Sequence, residues 1–118
     1  YIMELLKLGV YVEFDNFGKE YYVDIDARRP GYDIFVKDTD RVALLAELLQ
    51  EGYEKQILLT CDLCLKSLLH AYGGWGYDHV LTNIVPMMRE YGITNRQISR
   101  MLRENPANFF DVSDGASF

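Results

Sequence analysis

Two short apolar runs end on aspartate: Gln56-Ile57-Leu58-Leu59-Thr60-Cys61-Asp62 and Val10-Tyr11-Val12-Glu13-Phe14-Asp15. Read as buried strands of a parallel sheet, they deliver both carboxylates to one edge of that sheet. In α/β folds ligands bind outside the carboxyl ends of the strands. A carboxylate there can take up a proton or hydrogen-bond a substrate, so Asp62 is the leading catalytic candidate and Asp15 a substrate-binding one. The residues alone are equally compatible with plain structural roles, an N-cap for Asp62 and a loop cap for Asp15.

Cys61 and Cys64 bracket Asp62 as C-x-x-C, the spacing of a thiol redox pair or of half a zinc site. A thiolate at a helix start is favoured, but the intervening aspartate charge opposes it, which weakens the redox alternative. The only histidines, His70 and His79, lie nine positions apart in helical surroundings, outside the usual metal-ligand spacings. Lys19, Arg28 and Arg29 could together bind a phosphate or carboxylate of a substrate, or be solvated loop charges. Trp75, beside Gly73, Gly74 and Gly76, could wall a pocket mouth or pack under its loop, and the glycine-rich turn lacks the phosphate-loop pattern.

The elements that must position these groups follow from periodicity. Residues 1–8 place Ile2, Leu5 and Leu6 on one helical face, with Gly9 as a stop. Residues 16–37 hold glycines, Pro30, Tyr21, Tyr22 and Tyr32, a long loop that is either a disordered connector or, as its tyrosines and Phe35 favour, a lid that packs on the domain. Asp38 or Thr39 is expected to cap a helix with Val42, Leu45, Leu48 and Leu49 as its buried stripe, ending at Gly52. A short apolar helix is expected over 63–72 and a longer one over 77–91, with Pro86 in a first turn or at a kink. Thr94 and Gln97 form a capping box for a last helix carrying Ile98, Met101 and Leu102. Asn105-Pro106 is expected to cap a short final turn, and 111–118 to be a loose tail.

Strand, helix, strand, helix gives a right-handed parallel crossover. Two parallel strands do not stand alone, because parallel sheets are covered on both faces and several strands deep. The segment is therefore expected to be part of a larger α/β domain or to need partners. The 118 residues, 49% of them hydrophobic, amount to one domain at most. A net charge of −6 argues against binding a phosphate backbone. No apolar run approaches a membrane span and no signal peptide is visible. Two cysteines so close together argue against a secreted disulfide scaffold, so a reducing cytoplasm is expected. The chain opens on Tyr1 rather than Met, inside a helical pattern, so further sequence is expected upstream.

The runs Gly9 to Asp15 and Ile57 to Asp62 resemble strands seven and eight of the phosphotriesterase family. The most specific match is Tyr72-Gly73-Gly74-Trp75-Gly76-Tyr77-Asp78-His79-Val80-Leu81-Thr82-Asn83 with Pro86 after it, and Glu104-Asn105-Pro106 resembles the terminal motif of the amidohydrolase superfamily. The likeness is nearest to the phosphotriesterase-related proteins and covers essentially the whole chain. It implies the C-terminal portion of a (β/α)8 TIM barrel and a metal-dependent hydrolase with two divalent ions, usually zinc. Most ligands of such a site come from earlier strands; only the strand-eight aspartate maps here, onto Asp62. By resemblance Asp62 ligates one metal and takes the proton from a metal-bound hydroxide that attacks an ester, lactone, amide or phosphoester. The same likeness sets His79 near the start of helix eight, where a structural hydrogen bond is expected. Cys61 stands where relatives commonly have histidine or asparagine, which alters the surroundings of the metal. Asn16 stands where the organophosphate-hydrolysing members carry a relay histidine, which favours ester, lactone or amide substrates over a phosphotriester. The expected partners are a small, anionic substrate and other copies of the chain. A non-catalytic fragment or assembly module is the alternative.

Overall fold

The computed structural model describes residues 1–21 and 35–111. The central part of the long loop, with Arg28 and Arg29, and the tail from residue 112 lie outside the described residues.

Helix α1 (Ile2–Lys7) buries Leu6 and ends before Gly9, whose φ of +81° turns the chain back into strand β1 (Val12–Phe14). Helix α2 (Asp38–Gln50) then buries Val42, Leu45, Leu48 and Leu49, the stripe that its periodicity predicts. Strand β2 (Ile57–Leu59) pairs parallel with β1 in the register Val12 to Ile57, Glu13 to Leu58 and Phe14 to Leu59. Among the described residues this pair is the whole sheet. Gln56 fixes its lower end: the side-chain amide donates to the carbonyls of Leu6 at 2.7 Å and Val10 at 3.0 Å. The upper end is extended by Thr60, whose N–H donates to the Phe14 carbonyl at 2.9 Å.

The helix expected over 63–72 does not form. The chain there makes two 3-10 turns, Lys66–Leu68 and His70–Tyr72, separated by an extended Leu69. The carbonyls that a helix would use for its own ladder go elsewhere: Leu68 accepts from Gly76 N–H at 2.9 Å, and Leu69 from Gly74 N–H at 3.0 Å. Gly74 has to be glycine, because a Cβ there would overlap the backbone of Leu68.

The C-terminal half is helical. A π-helical stretch, Val80–Ile84, runs into α3 (Val85–Glu90), and α4 (Asn95–Ser99) runs through a second, Arg100–Glu104, into α5 (Asn105–Phe110). Each wide turn ends two residues before a proline, Pro86 or Pro106, which has no N–H for the carbonyl one turn back. The helix accommodates the missing donor by widening rather than breaking. Thr94 and Gln97 make the expected capping box, with Gln97 N–H donating to Thr94 Oγ1 and Thr94 N–H to Gln97 Oε1.

Two expected caps do other work. Lys37 is the N-cap of α2 and makes no side-chain cap bond, while the Asp38 side chain turns inward. Asn105 lies inside a continuous helix, fully buried, and donates from Nδ2 to the carbonyls of Glu54 at 2.8 Å and Ile57 at 2.7 Å. The core between sheet and helices holds Leu6, Phe17, Leu45, Ile57, Ile84, Met88 and Met101. Replacing Asn105 with alanine strands two backbone acceptors against that core, at a cost of about 2 kcal/mol. Urea unfolding of the variant should show the loss as a lowered midpoint with an unchanged slope.

Candidate active site

Asp62 lies just past the carboxyl end of β2, and Asp15 just past that of β1, so the parallel register brings both acids to one edge. Asp62 has φ of +38°, the only positive value at a non-glycine among the described residues. Aspartate tolerates this region better than most residues, but it remains strained and is held by its surroundings. Those surroundings are the Thr60 ladder bond on one side and Lys19 on the other.

Lys19 Nζ donates to Asp62 Oδ2. The pair is asymmetric: the Lys19 side chain is 6% exposed and that of Asp62 53%. Burial disfavours the ammonium, yet the hydrogen bond and charge of Asp62 outweigh it and hold the lysine pKa above its ordinary value. Lys19 thus emerges from inside the protein against a carboxylate that is half open to solvent.

The backbone around Lys19 is held by Asp38. Its buried carboxylate accepts from Gly18 N–H at 3.0 and 2.9 Å, from Arg41 Nη1 at 2.6 Å and from His79 Nε2 at 2.9 Å. Arg41 then donates from Nη2 to the Lys19 carbonyl at 3.2 Å. His79 accepts at Nδ1 from Asn83 Nδ2 at 3.1 Å, which fixes its ring orientation. The structural hydrogen bond expected of His79 is therefore present, and its acceptor is Asp38. Neither Asp38 nor Arg41 stands out as a site residue in the sequence; their i, i+3 spacing in a first helical turn was the available signal.

Trp75 packs over His79 with ring centroids 4.8 Å apart, and its indole covers Gly18. A Cβ on Gly18 would overlap that ring, and its φ of +86° also requires glycine. Asp15 remains exposed and accepts from Asn16 Nδ2 at 2.6 Å. The ends of the long loop close on each other, with the Tyr21 and Phe35 rings 5.1 Å apart. His70 and Asp78 clasp the base of the glycine-rich loop at 2.5 Å, which holds the Asp78 carboxyl below its ordinary pKa. Of the predicted site residues, then, the structure joins Lys19 to Asp62, keeps Asp15 to itself and sets Trp75 beside the Asp38 network.

Both cysteines are free thiols, Cys61 buried and Cys64 exposed. Burial pushes the Cys61 thiol pKa up, which opposes the thiolate that redox exchange requires. Among the described residues no three His, Cys, Asp or Glu side chains gather as a metal site would need. Asp62 fits one ligand position, a hard oxygen donor with an open side. No described helix is long and apolar enough to cross a membrane.

Parallel strands alternating with helices, with an acid beyond a strand end, define a piece of an α/β enzyme fold. The chain belongs to the phosphotriesterase family, whose model matches residues 1–110. It is 41% identical over 108 residues to the N-acetyltaurine hydrolase of Salmo salar, covering 89% of this chain and 29% of that protein. It is 36% identical over 109 residues to the phosphotriesterase homology protein of Escherichia coli, covering 92% and 33%. A crystal structure of that bacterial protein with phosphate in its active site superposes with a TM-score of 0.76 at 34% identity, over 91% of this chain and 32% of the other. A resiniferatoxin-binding protein from Rhodobacter sphaeroides superposes at 0.85 with 27% identity, over 98% and 31%. The chain spans about a third of the length of these relatives. The family resemblance read from the strand ends and the glycine-rich motif is borne out.

Two outcomes are expected. Gly18→Ala should displace Trp75 and destabilise the protein by about 1–3 kcal/mol, seen as a lower melting temperature with altered tryptophan fluorescence. At neutral pH a maleimide should label Cys64 and spare Cys61. Because the Cys61 pKa is raised, its labelling should begin only above the pH, about 8.5, at which an ordinary thiol ionises. Equal labelling of both at pH 7, followed by mass spectrometry, would contradict the burial of Cys61.

Proposed function

We propose that the protein carrying this segment is a metal-dependent hydrolase in which β1 and β2 are strands seven and eight of a (β/α)8 barrel. The observation that carries the reading is Asp62, a strained, half-exposed carboxylate at the strand end with a buried lysine behind it. Asp62 would hold one of two divalent ions, zinc being the first choice, and residues outside this segment would supply the other ligands. Such a metal, when bound, activates a water and polarises the oxygen of the scissile bond. Asp62, half open to solvent at the strand end, would be the residue placed to take up a proton.

For substrate, we favour a small amide or ester with an anionic tail over a phosphotriester. The 41% identity to N-acetyltaurine hydrolases supports an amide. Asn16, in the place of a relay histidine, weakens the phosphotriester case. Asp15 and Trp75 are the proposed substrate contacts within the described residues, together with Lys19. The Lys19 charge is already shared with Asp62, so it lends less to anion binding than a free cation would. Arg28 and Arg29 are the further proposed anion contacts. The two free thiols suit a reducing cytoplasm, and homo-oligomers are proposed.

The test is Asp62→Ala in the whole protein, with metal content and turnover measured on N-acetyltaurine, a simple ester, a lactone and a phosphotriester. The expected result is amide or ester turnover in the wild type. The variant should lose more than the roughly 10–100-fold that removal of an outer-shell partner costs, together with bound metal. Near-normal turnover by the variant would falsify the role of Asp62.

A further inference from the structure

The Asp38–Arg41 pair behind Lys19 has no part in the chemistry just described, yet it is a cluster of buried polar groups, which proteins retain only when satisfied. It forms one connected path. Asp38 holds Gly18 and Arg41, Arg41 holds the Lys19 carbonyl, and Lys19 Nζ meets Asp62. The two residues flanking the Gly18–Lys19 peptide bond are thus gripped at an N–H and at a carbonyl by one buried ion pair. Glu20 closes the far side, its Oε1 accepting from Asp38 N–H at 2.5 Å. A lysine side chain has four rotatable carbons and loses rotamer entropy when ordered, so its base must be fixed if its head is to hold a target.

We propose that Lys19 is a positioning residue for the Asp62 carboxylate, seated by the buried Asp38–Arg41 pair. The inference rests on Asp62 being a metal ligand. Lys19 donates to Oδ2 and so orients the carboxylate, whose side chain stays half open to solvent, where an ion would bind. Ligating carboxylates are commonly oriented by an outer hydrogen-bond donor, and loss of such a donor weakens metal binding. The strained backbone at Asp62 makes this hold more necessary, because a carboxylate released from Lys19 has no second described side-chain donor to orient it.

The experiment measures Zn2+ affinity of the whole, metal-stripped protein by competition with a chelating dye. Four variants are compared with the wild type: Lys19→Met, Arg41→Lys, Asp62→Ala and Asn105→Ala. Lys19→Met keeps the length of the side chain and removes its charge. Arg41→Lys keeps the charge beside Asp38 and loses the fork that reaches the Lys19 carbonyl. Asn105→Ala is the control, since it weakens the fold without touching the network. The expected result is about 10–100-fold weaker zinc binding for Lys19→Met, a smaller loss for Arg41→Lys, and wild-type affinity for Asn105→Ala. Wild-type affinity in both Lys19→Met and Arg41→Lys overturns the positioning role. So does an equal loss in Asn105→Ala, which would reduce the effect to general destabilisation. If Asp62→Ala itself binds zinc like the wild type, the metal-ligand reading has failed and this inference goes with it. If Asp62→Ala alone is weakened, only the positioning role has failed.

Discussion

The structure depends most on a buried negative charge. Asp38 is 5% exposed, and an ionised carboxylate in that position costs several kcal/mol unless its lone pairs are filled. They are filled by a backbone N–H, a guanidinium and an imidazole drawn from three separate parts of the chain. Each donor imposes a consequence. Residue 18 has no side chain, and the space that one would need is taken by the Trp75 ring. The His79 ring can reach only if the helix entered at Val80 begins where it does. Arg41 reaches from one turn along α2. The loop after β1, the start of α2 and the glycine-rich loop are therefore fixed as one body, because none can move without stranding a charge.

That body carries the lysine, and the lysine makes Asp62 an unusual acid. An exposed ion pair is worth little, because water screens both partners. Here only one partner is in water. The ammonium is kept dry and cannot wander, whereas the carboxylate keeps a free face. Asymmetry of this kind costs the protein desolvation of a cation, offset by the hydrogen bond and attraction of Asp62 and by the satisfied backbone around Lys19. It produces a carboxylate that is oriented without being buried, which is what a ligand or proton acceptor at a strand end must be.

Much of this was legible in the sequence, for identifiable reasons. The stripe of α2, the capping box at Thr94 and the parallel strands follow from periodicity and local hydrogen bonding, so they appear where expected. The 63–72 segment does not, because the carbonyls of Leu68 and Leu69 are captured by Gly76 and Gly74 respectively, which helix periodicity does not reveal. Asp38 looks like a helix cap because aspartate before a helical run usually is one. Its actual donors include residues 20 and 41 positions away, beyond any local pattern. Asp62 was legible as a strand-end acid and Lys19 as a charge, but their meeting was not, since 43 positions separate them.

The same dependence on distant residues governs how the start of β2 is anchored. β2 is three residues long and has one neighbouring strand among the described residues, so its own ladder cannot fix its position. Asn105 supplies a second hold by binding the carbonyls of Glu54 and Ile57, at and just before the start of the strand. That hold is available because the helix passes from Arg100–Glu104 into Asn105–Phe110 without breaking at Pro106, which leaves Asn105 on the buried side together with Met101. A helix that ended at the proline, as the sequence pattern suggested, would release Asn105 to a terminal cap and leave the strand anchored only by Gln56 and Thr60. The wide turn before Pro106 is therefore part of what anchors the start of β2, at the end of the strand away from Asp62.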